Sequence, residues 1–290
     1  MDKSSDLIFQ ESAVRAKANS FTFLYTFPWW ALILVLVAAF MFVTILSDTF
    51  YAATFDQLRA GVALTLTVSF VSYAIALVIG LSIGLIRAYP PKPAATLRGH
   101  VTGALRVALY NLATLYVSIM RGLPILVVLL IVAFVVVPAV RDAINTTFGT
   151  DIRIRGTSPE SAIIALALTY GAFLSETFRA GIQSVERGQI EAAKSLGMNT
   201  LQVMRHIVLP QAFRRILPPL GNDMIAMIKD SSLVAILGIN DVTQIAKLRS
   251  SNTFKFMETY LVAALLYLTM TIIGSMIVRW MERRLQTAQR

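Results

Sequence analysis

The sequence predicts an all-α membrane protein with six transmembrane helices and both termini in the cytoplasm. Three observations predict it. Of 290 residues, 56% are apolar and only 14% are charged, whereas soluble domains run at roughly 45–50% and about 25%. The mean hydropathy is +0.68. Charged residues cluster between long uncharged runs, most of them long enough to cross a hydrocarbon core of about 30 Å. The same composition excludes a disordered chain, which is poor in apolar residues. The absence of cysteine excludes a disulfide scaffold and a thiolate metal site.

The spans follow in order. Trp29–Leu46 is the first, with Trp29 and Trp30 placed where indole favours the headgroup level. It is longer than the apolar region of a cleavable signal, about 7–15 residues, so a retained helix is expected. Gly61–Ile86, bounded by Arg59 and Arg87, would be about 39 Å long as a helix and crosses with tilt. Gly122–Val140 lies between Arg121 and Arg141, with helix reaching back through Leu115–Met120. Ser161–Ser175 lies between Glu160 and Glu176 and continues to about Ala180. Ile216–Leu237 is the weakest, because it contains Asp223, Lys229 and Asp230. Thr259–Val278 closes the set.

Orientation follows from Lys and Arg. With the N-terminus inside, 17 of the 26 basic residues fall on cytoplasmic segments and 7 on outer ones. Arg121 and Lys229 belong to helix ends or interiors. This asymmetry places both termini inside and gives the net charge of +10 a topological cause. On a soluble chain such a charge would instead raise the question of nucleic acid.

The one long cytoplasmic segment is 179–215. Its Leu196, Met198, Leu201, Val203, Met204, Ile207, Val208 and Leu209 predict two short amphipathic helices joined at Gly197–Thr200. Asn199 or Thr200 would cap the second, and Pro210 would end it or start another. Exposed apolar residues on such a loop require a protein partner or the membrane surface. The chain shows no phosphate-binding loop, nucleotide fold or internal repeat.

That loop reads Glu191-Ala192-Ala193-x3-Gly197-x9-Ile207-x-Leu209-Pro210. It resembles the EAA motif of permease subunits of bacterial ABC importers. Further segments sharpen the resemblance to the polar amino acid permease family: Arg121-Gly122-x-Pro124, Tyr170-Gly171-Ala172, Glu176-x2-Arg179-x-Gly181-Ile182, Gly188-Gln189, Leu209-Pro210-Gln211, Pro218-Pro219-x-Gly221-Asn222 and Lys229-Asp230-x-Ser232-Leu233. Ser231 and Leu123 stand where the family often has Thr. The resemblance covers about residues 58–284. It implies a five-helix type I ABC importer core plus one extra N-terminal helix within 1–57, a coupling loop over 179–215 and a short cytoplasmic tail, 285–290. It also implies location in the bacterial inner membrane, a second permease chain as homo- or heterodimer, two cytoplasmic ATPase subunits and an extracytoplasmic amino acid binding protein. ATP and Mg would be bound by the ATPases, with no cofactor, metal or nucleic acid on this chain.

The motif's chemistry is intelligible. Ala192 and Ala193 favour helix and leave a smooth face. Glu191 supplies a charge for partner backbone or Arg. Gly197 permits a sharp turn. The resemblance assigns ATPase coupling to these residues with Ile207, Leu209 and Pro210; on spacing alone they also read as an amphipathic helix on the membrane surface.

Polar groups inside the spans are the substrate-pathway candidates, because ionised side chains there must face water or a partner. Thr169, Tyr170, Phe173, Glu176 and Thr177 share one helical face, and its aromatics and carboxylate suit an ammonium or guanidinium. Glu176 alternatively pairs with Arg179 or a neighbouring helix. Asn222 and Asp223 are read as pathway wall, and Lys229, Asp230 and Ser232 as structural or gating groups near the outer end. Arg121, Gly122 and Pro124 break a helix near the membrane surface, Arg121 pairing with Glu176 or snorkelling to headgroups. Gly80 and Gly84 form a small-x3-small pair for close helix packing or a dimer seam. His100 and His206 lack a ligand constellation.

The function expected is the permease subunit of an ATP-driven amino acid importer working by alternating access. The alternative is a stand-alone secondary transporter, for which internal repeats and a broken-helix site are the usual signs. A membrane-embedded enzyme is disfavoured, since no HExxH or paired-carboxylate motif accompanies His206, Glu176 and Asp223.

Overall fold

A computed structural model describes residues 27–91 and 97–287, the side chains of 97–102 and 285–287 excepted. The charges at Lys3, Arg15, Lys17, Lys92 and Arg290, the side chains of Arg98 and His100, and most of the 285–290 tail lie outside the described residues. The described secondary structure is helical throughout. The described residues form two compact units, divided between Ala52 and Ala53.

In the first unit, α1 (Trp29–Ser47) is apolar around its whole circumference, as a helix solvated by lipid tails must be. Thr44 and Ser47 return their hydroxyls to the carbonyls of Phe40 and Val43, so neither leaves an unsatisfied group in an apolar surround. Asp48 stops α1 in an extended conformation, and its carboxylate accepts the amides of Phe50 and Tyr51 to start α2 (Thr49–Arg59).

The second unit is built on two parallel helices, α3 (Val62–Ala88) and α6 (Pro159–Gln183). Gly80 lies against Leu174 and Gly84 against Phe178. A Cβ on Gly80 would stand 2.7 Å from Leu174 Cβ, and one on Gly84 2.8 Å from Phe178 Cβ. The small-residue pair thus seats α3 on α6 within one chain, which decides between the two uses open to it in the sequence.

Between them run α4 (Leu97–Gly122) and α5 (Ile125–Phe148). These two do not fold back on each other. Pro124, with ψ at 137°, interrupts the ladder, and the pieces continue head to tail. Ala133 and Phe134 reach Gly156, just before α6, so α5 runs antiparallel to α6, while α4 touches α6 through Tyr116, which donates to Leu168 O at 2.5 Å. The rod is longer than the run Gly122–Val140 suggested, because 97–114 is also helical although Arg106 sits on it.

Residues 184–208 form the loop, and α9 follows. The helix α7 (Arg187–Ser195) precedes α8 (Thr200–Val203); a π-helical turn Met204–Val208 then leads into α9 (Leu209–Asp230). Gly221 meets Val278, and Gly274 faces Ile225 and Ile228, which sets α9 antiparallel to α11 (Phe256–Thr287). Gly181 meets Ile216, and Tyr170 meets Asp230, which sets α9 antiparallel to α6 as well. The expected span Ile216–Leu237 is divided: α-helix ends at Asp230, and a 3-10 helix, Ser231–Leu237, closes it. By length and composition alone, six helices among the described residues are fit to cross a membrane. They include Gly103–Gly122 and omit α9, whose charges lower its hydropathy although α6 and α11 enclose it.

A short helix, α10 (Val242–Thr253), caps the end opposite the loop, with Asp241 accepting the Gln244 amide at 2.8 Å. The core lies among α3, α5, α6, α9 and the 3-10 helix, with Val68, Ala76, Leu129, Ala133, Leu166, Leu174, Met227 and Val234 at its centre.

Candidate functional site

The loop carries its own small core. Ala193, Val203, Val208 and Ala212 are buried with Ala88, Ile182 and Val185. Ile190, Met198, Met204 and Ile207 pack around them. Asn199 caps α8 reciprocally: its carboxamide accepts the Gln202 amide at 2.9 Å, and Gln202 accepts the Asn199 amide at 2.8 Å. Such a box satisfies two otherwise orphaned donors. Gly197 has φ of +83° with open space around its Cα, so the turn itself needs glycine. Pro210 directly follows the π-helical turn Met204–Val208, where the hydrogen-bond ladder already departs from the α pattern and accommodates the missing N–H.

The loop is tied to α9 at two points, Gln211 donating to Gln189 at 2.6 Å and Arg215 to the Ser184 carbonyl; just before it, Gln183 of α6 donates to Ala88 O of α3 at 3.0 Å. It is therefore a rigid extension of α6 and α9. What it leaves open is specific. Glu191 and Ala192 are exposed, Leu196 is 84% exposed and Leu201 77%. Of the coupling residues named from the sequence, Ala193 turns inward and Ile207 is half-buried, whereas Glu191, Ala192, Gly197, Leu209 and Pro210 are exposed.

A charge cluster sits on α6 about two turns before the loop. Glu176 on α6 accepts from Arg87 of α3 at 2.7 Å and from Arg179 at 3.1 Å. Arg121, from the end of α4, stands 4.0 Å away, with its guanidinium 5.9 Å from the Phe173 ring centroid. Three guanidiniums around one carboxylate leave a local charge of +2. Both partners that the pairing reading offered Glu176 are present, Arg179 on its own helix and Arg87 on a neighbouring one. Arg87, which sequence analysis used only as a span boundary, is the closest partner across helices, and its Nε is buried without a hydrogen bond. Its only signal was that an uncharged run ended on it.

The remaining pathway candidates separate. Thr169 is buried and bonds Ala165 O at 2.9 Å. Tyr170 is 4% exposed and donates to Asp230 at 2.7 Å. Phe173 and Asp223 are half-buried, the latter beside the Thr177 hydroxyl, and Asn222 is exposed. Gly122 faces open space. Lys229, which is exposed, and Ser232 border a separate shallow pocket with Thr243, Tyr260, Ala263, Ala264 and Tyr267. Among the described residues no group of three His, Cys, Asp or Glu could hold a metal ion.

Comparison with known proteins agrees with this geometry. The family model described as "Binding-protein-dependent transport system inner membrane component" matches residues 95–287. A probable glutamine ABC transporter permease protein, GlnM of Bacillus subtilis (strain 168), is 34% identical over 85% of this chain and 99% of its own. A probable amino-acid ABC transporter permease protein, YckA of the same organism, is 36% identical over 80% of this chain and 90% of its own. Among solved structures, the crystal structure of an amino acid ABC transporter with histidines has a TM-score of 0.64 and 32% identity, covering 83% of this chain and 98% of that one.

Proposed function

Since the chain belongs to the family of inner membrane components of binding-protein-dependent transport systems, as a permease of the polar amino acid ABC importer type, we propose that it forms half of a dimeric amino acid pathway. Cytoplasmic ATPase subunits drive that pathway through the loop 184–208. Two ATPases bind and hydrolyse ATP with Mg, and an extracytoplasmic binding protein delivers the substrate at the opposite end. The loop and both termini then face the cytoplasm, in keeping with the distribution of Lys and Arg.

The observation that carries this reading is the loop's construction. A docking element that transmits force must be rigid towards the spans and apolar towards its partner. The loop has its own buried core and two polar ties to the spans, yet exposes Leu196 and Leu201 on either side of the Gly197 turn. Closure of an ATPase dimer seated on that tip would move α6 and α9 together. The Glu176 cluster holds α3 and α6 as one body during that movement, and alternating access results from rocking such bodies about the pathway.

The test is co-purification followed by uptake in reconstituted vesicles. An ATPase subunit should accompany the chain, and amino acid uptake should require ATP. Uptake driven by an ion gradient in the absence of an ATPase would establish the secondary-transporter alternative.

A further inference from the structure

We propose that Arg121, carried on the short elbow between α4 and α5, is a gate that closes over the Phe173 ring of α6 and swings off it during transport. This rests on the permease reading above and adds a moving part to it.

The elbow lacks backbone continuity. The α4 ladder ends with the Leu123 amide on Ile119 O at 3.2 Å. Pro124 has no N–H to extend it, and the first amides of α5, from Val127 and Val128, reach back only to Pro124 O, at 2.9 and 3.1 Å. Among the described residues no backbone hydrogen bond crosses the joint. Packing is sparse there as well. Arg121, Gly122, Leu123 and Pro124 are exposed, and nothing lies within 4 Å of where a Cβ on Gly122 would stand. On either side the rod is fixed. Val117 is buried and Tyr116 bonds Leu168 O before the elbow, and Val128 and Leu129 are buried after it. The elbow is therefore a segment of low local stability between two anchored helices.

Arg121 is also the loosely held member of the charge cluster. Arg87 and Arg179 hydrogen-bond both oxygens of Glu176. Arg121 makes no hydrogen bond among the described residues: its guanidinium stands 4.0 Å from Glu176 and 5.9 Å from the Phe173 ring centroid, with 44% of the side chain exposed. Contacts of both kinds are weak at such exposure. Because Arg87 and Arg179 already satisfy the carboxylate, Arg121 leaves without stranding it and without parting α3 from α6. Its departure bares the half-buried Phe173 ring, one helical turn from Thr177, whose hydroxyl lies beside Asp223. A few residues at the end of an element, free to change backbone angles between rigid neighbours, are the usual construction of a gate.

The experiment measures ATP-driven uptake by the permease–ATPase assembly, reconstituted in vesicles with cysteine-free partner subunits and the binding protein. The chain has no cysteine, so Arg121→Cys with Phe173→Cys allows one reducible bis-thiol cross-link between elbow and α6. The pair should cross-link in the resting assembly, uptake should then fall about tenfold, and reduction should restore it. Failure of the pair to cross-link, or unchanged uptake after cross-linking, would overturn the proposal. Should the two substitutions themselves stop uptake, Pro124→Ala decides. It lets the α4 ladder run on into α5, so kcat should fall about threefold while the KM for binding protein and the melting temperature are kept. An unchanged kcat overturns the gate, and so does a fall accompanied by a lower melting temperature, which marks a structural role. An unsubstituted assembly without ATP-driven uptake overturns the permease reading itself, whereas normal uptake with a harmless cross-link removes only the gate.

Discussion

Arg87 Nη1 donates to Glu176 Oε2 across 2.7 Å, joining α3 to α6 at the end where the loop begins. The pair is little exposed, at 13% and 26% of the two side chains, and Arg179 and Arg121 complete its surroundings. Removing the carboxylate leaves three guanidiniums facing one another, the costly way to break an ion pair. Glu176→Gln should therefore lower stability by about 2 kcal/mol, discounted from the buried-pair range for partial exposure. Thermal unfolding of the assembly checks this, and Arg87→Met combined with Glu176→Gln should recover part of the loss. Because the carboxylate is already engaged, uptake of cationic and neutral amino acids should fall equally; selective loss of cationic substrates would show that Glu176 reads substrate charge.

The seam between α3 and α6 admits no side chain at Gly80. An added Cβ would meet Leu174 Cβ at 2.7 Å and the Leu174 backbone at 3.1 Å, so the helices must separate. Gly80→Ala should cost about 1–3 kcal/mol, and Gly80→Leu should abolish assembly, read as the yield of monodisperse protein. Gly122→Ala, at a position with open space around it, serves as the tolerated control.

The loop's exposed tip and its core respond differently. Leu201→Asp adds a charge to a side chain that is 77% exposed and should leave the melting temperature within the change given by about 0.5 kcal/mol. It should nonetheless eliminate ATPase co-purification. Ala193→Asp places an unpaired charge among Val203, Val208 and Ala212 and should destabilise the loop itself, detected as protease cleavage between 184 and 208.

At Gly197 the conflict is conformational rather than steric, with φ at +83° and nothing within 4 Å. Gly197→Ala should cost about 1–2 kcal/mol locally and slow uptake moderately. Gly197→Trp should bind substrate normally and lose ATP-driven uptake, because bulk at the tip obstructs docking. Normal uptake by the tryptophan variant would remove the turn from the coupling mechanism.

Asp241, outside the spans, has its ionisation pushed above the usual carboxylate value by burial, partly offset by bonds from the Gln244 amide and Tyr267. The folded state then binds this proton more readily than the unfolded state. Stability of the α10 cap should rise as pH falls from above the folded value towards the ordinary carboxylate range, and the gain is complete below it. Asp241→Asn should flatten that slope, as measured by hydrogen exchange of α10 amides against pH.

The sequence by itself determined where lipid-soluble helix lies, the break at Pro124, a helix cap at Asn199 or Thr200, the Gly197 turn and a structured loop flanked by basic residues. Each is a local property, set by side-chain transfer free energy or by backbone chemistry within a few residues. Tertiary structure alone decided that Gly80 and Gly84 serve an intrachain seam, that Arg87 is the interhelical partner of Glu176, and that Ala193 turns inward while Ala192 stays open. It also decided that helix ends at Asp230, with Tyr170 taking the carboxylate and Lys229 left exposed. Adjacent charges such as Lys229 and Asp230 are indistinguishable by composition, because the cost of each depends on what a distant helix brings opposite it. Those pairings span intervals such as the 60 residues from Tyr170 to Asp230 and come into existence only when the helices meet.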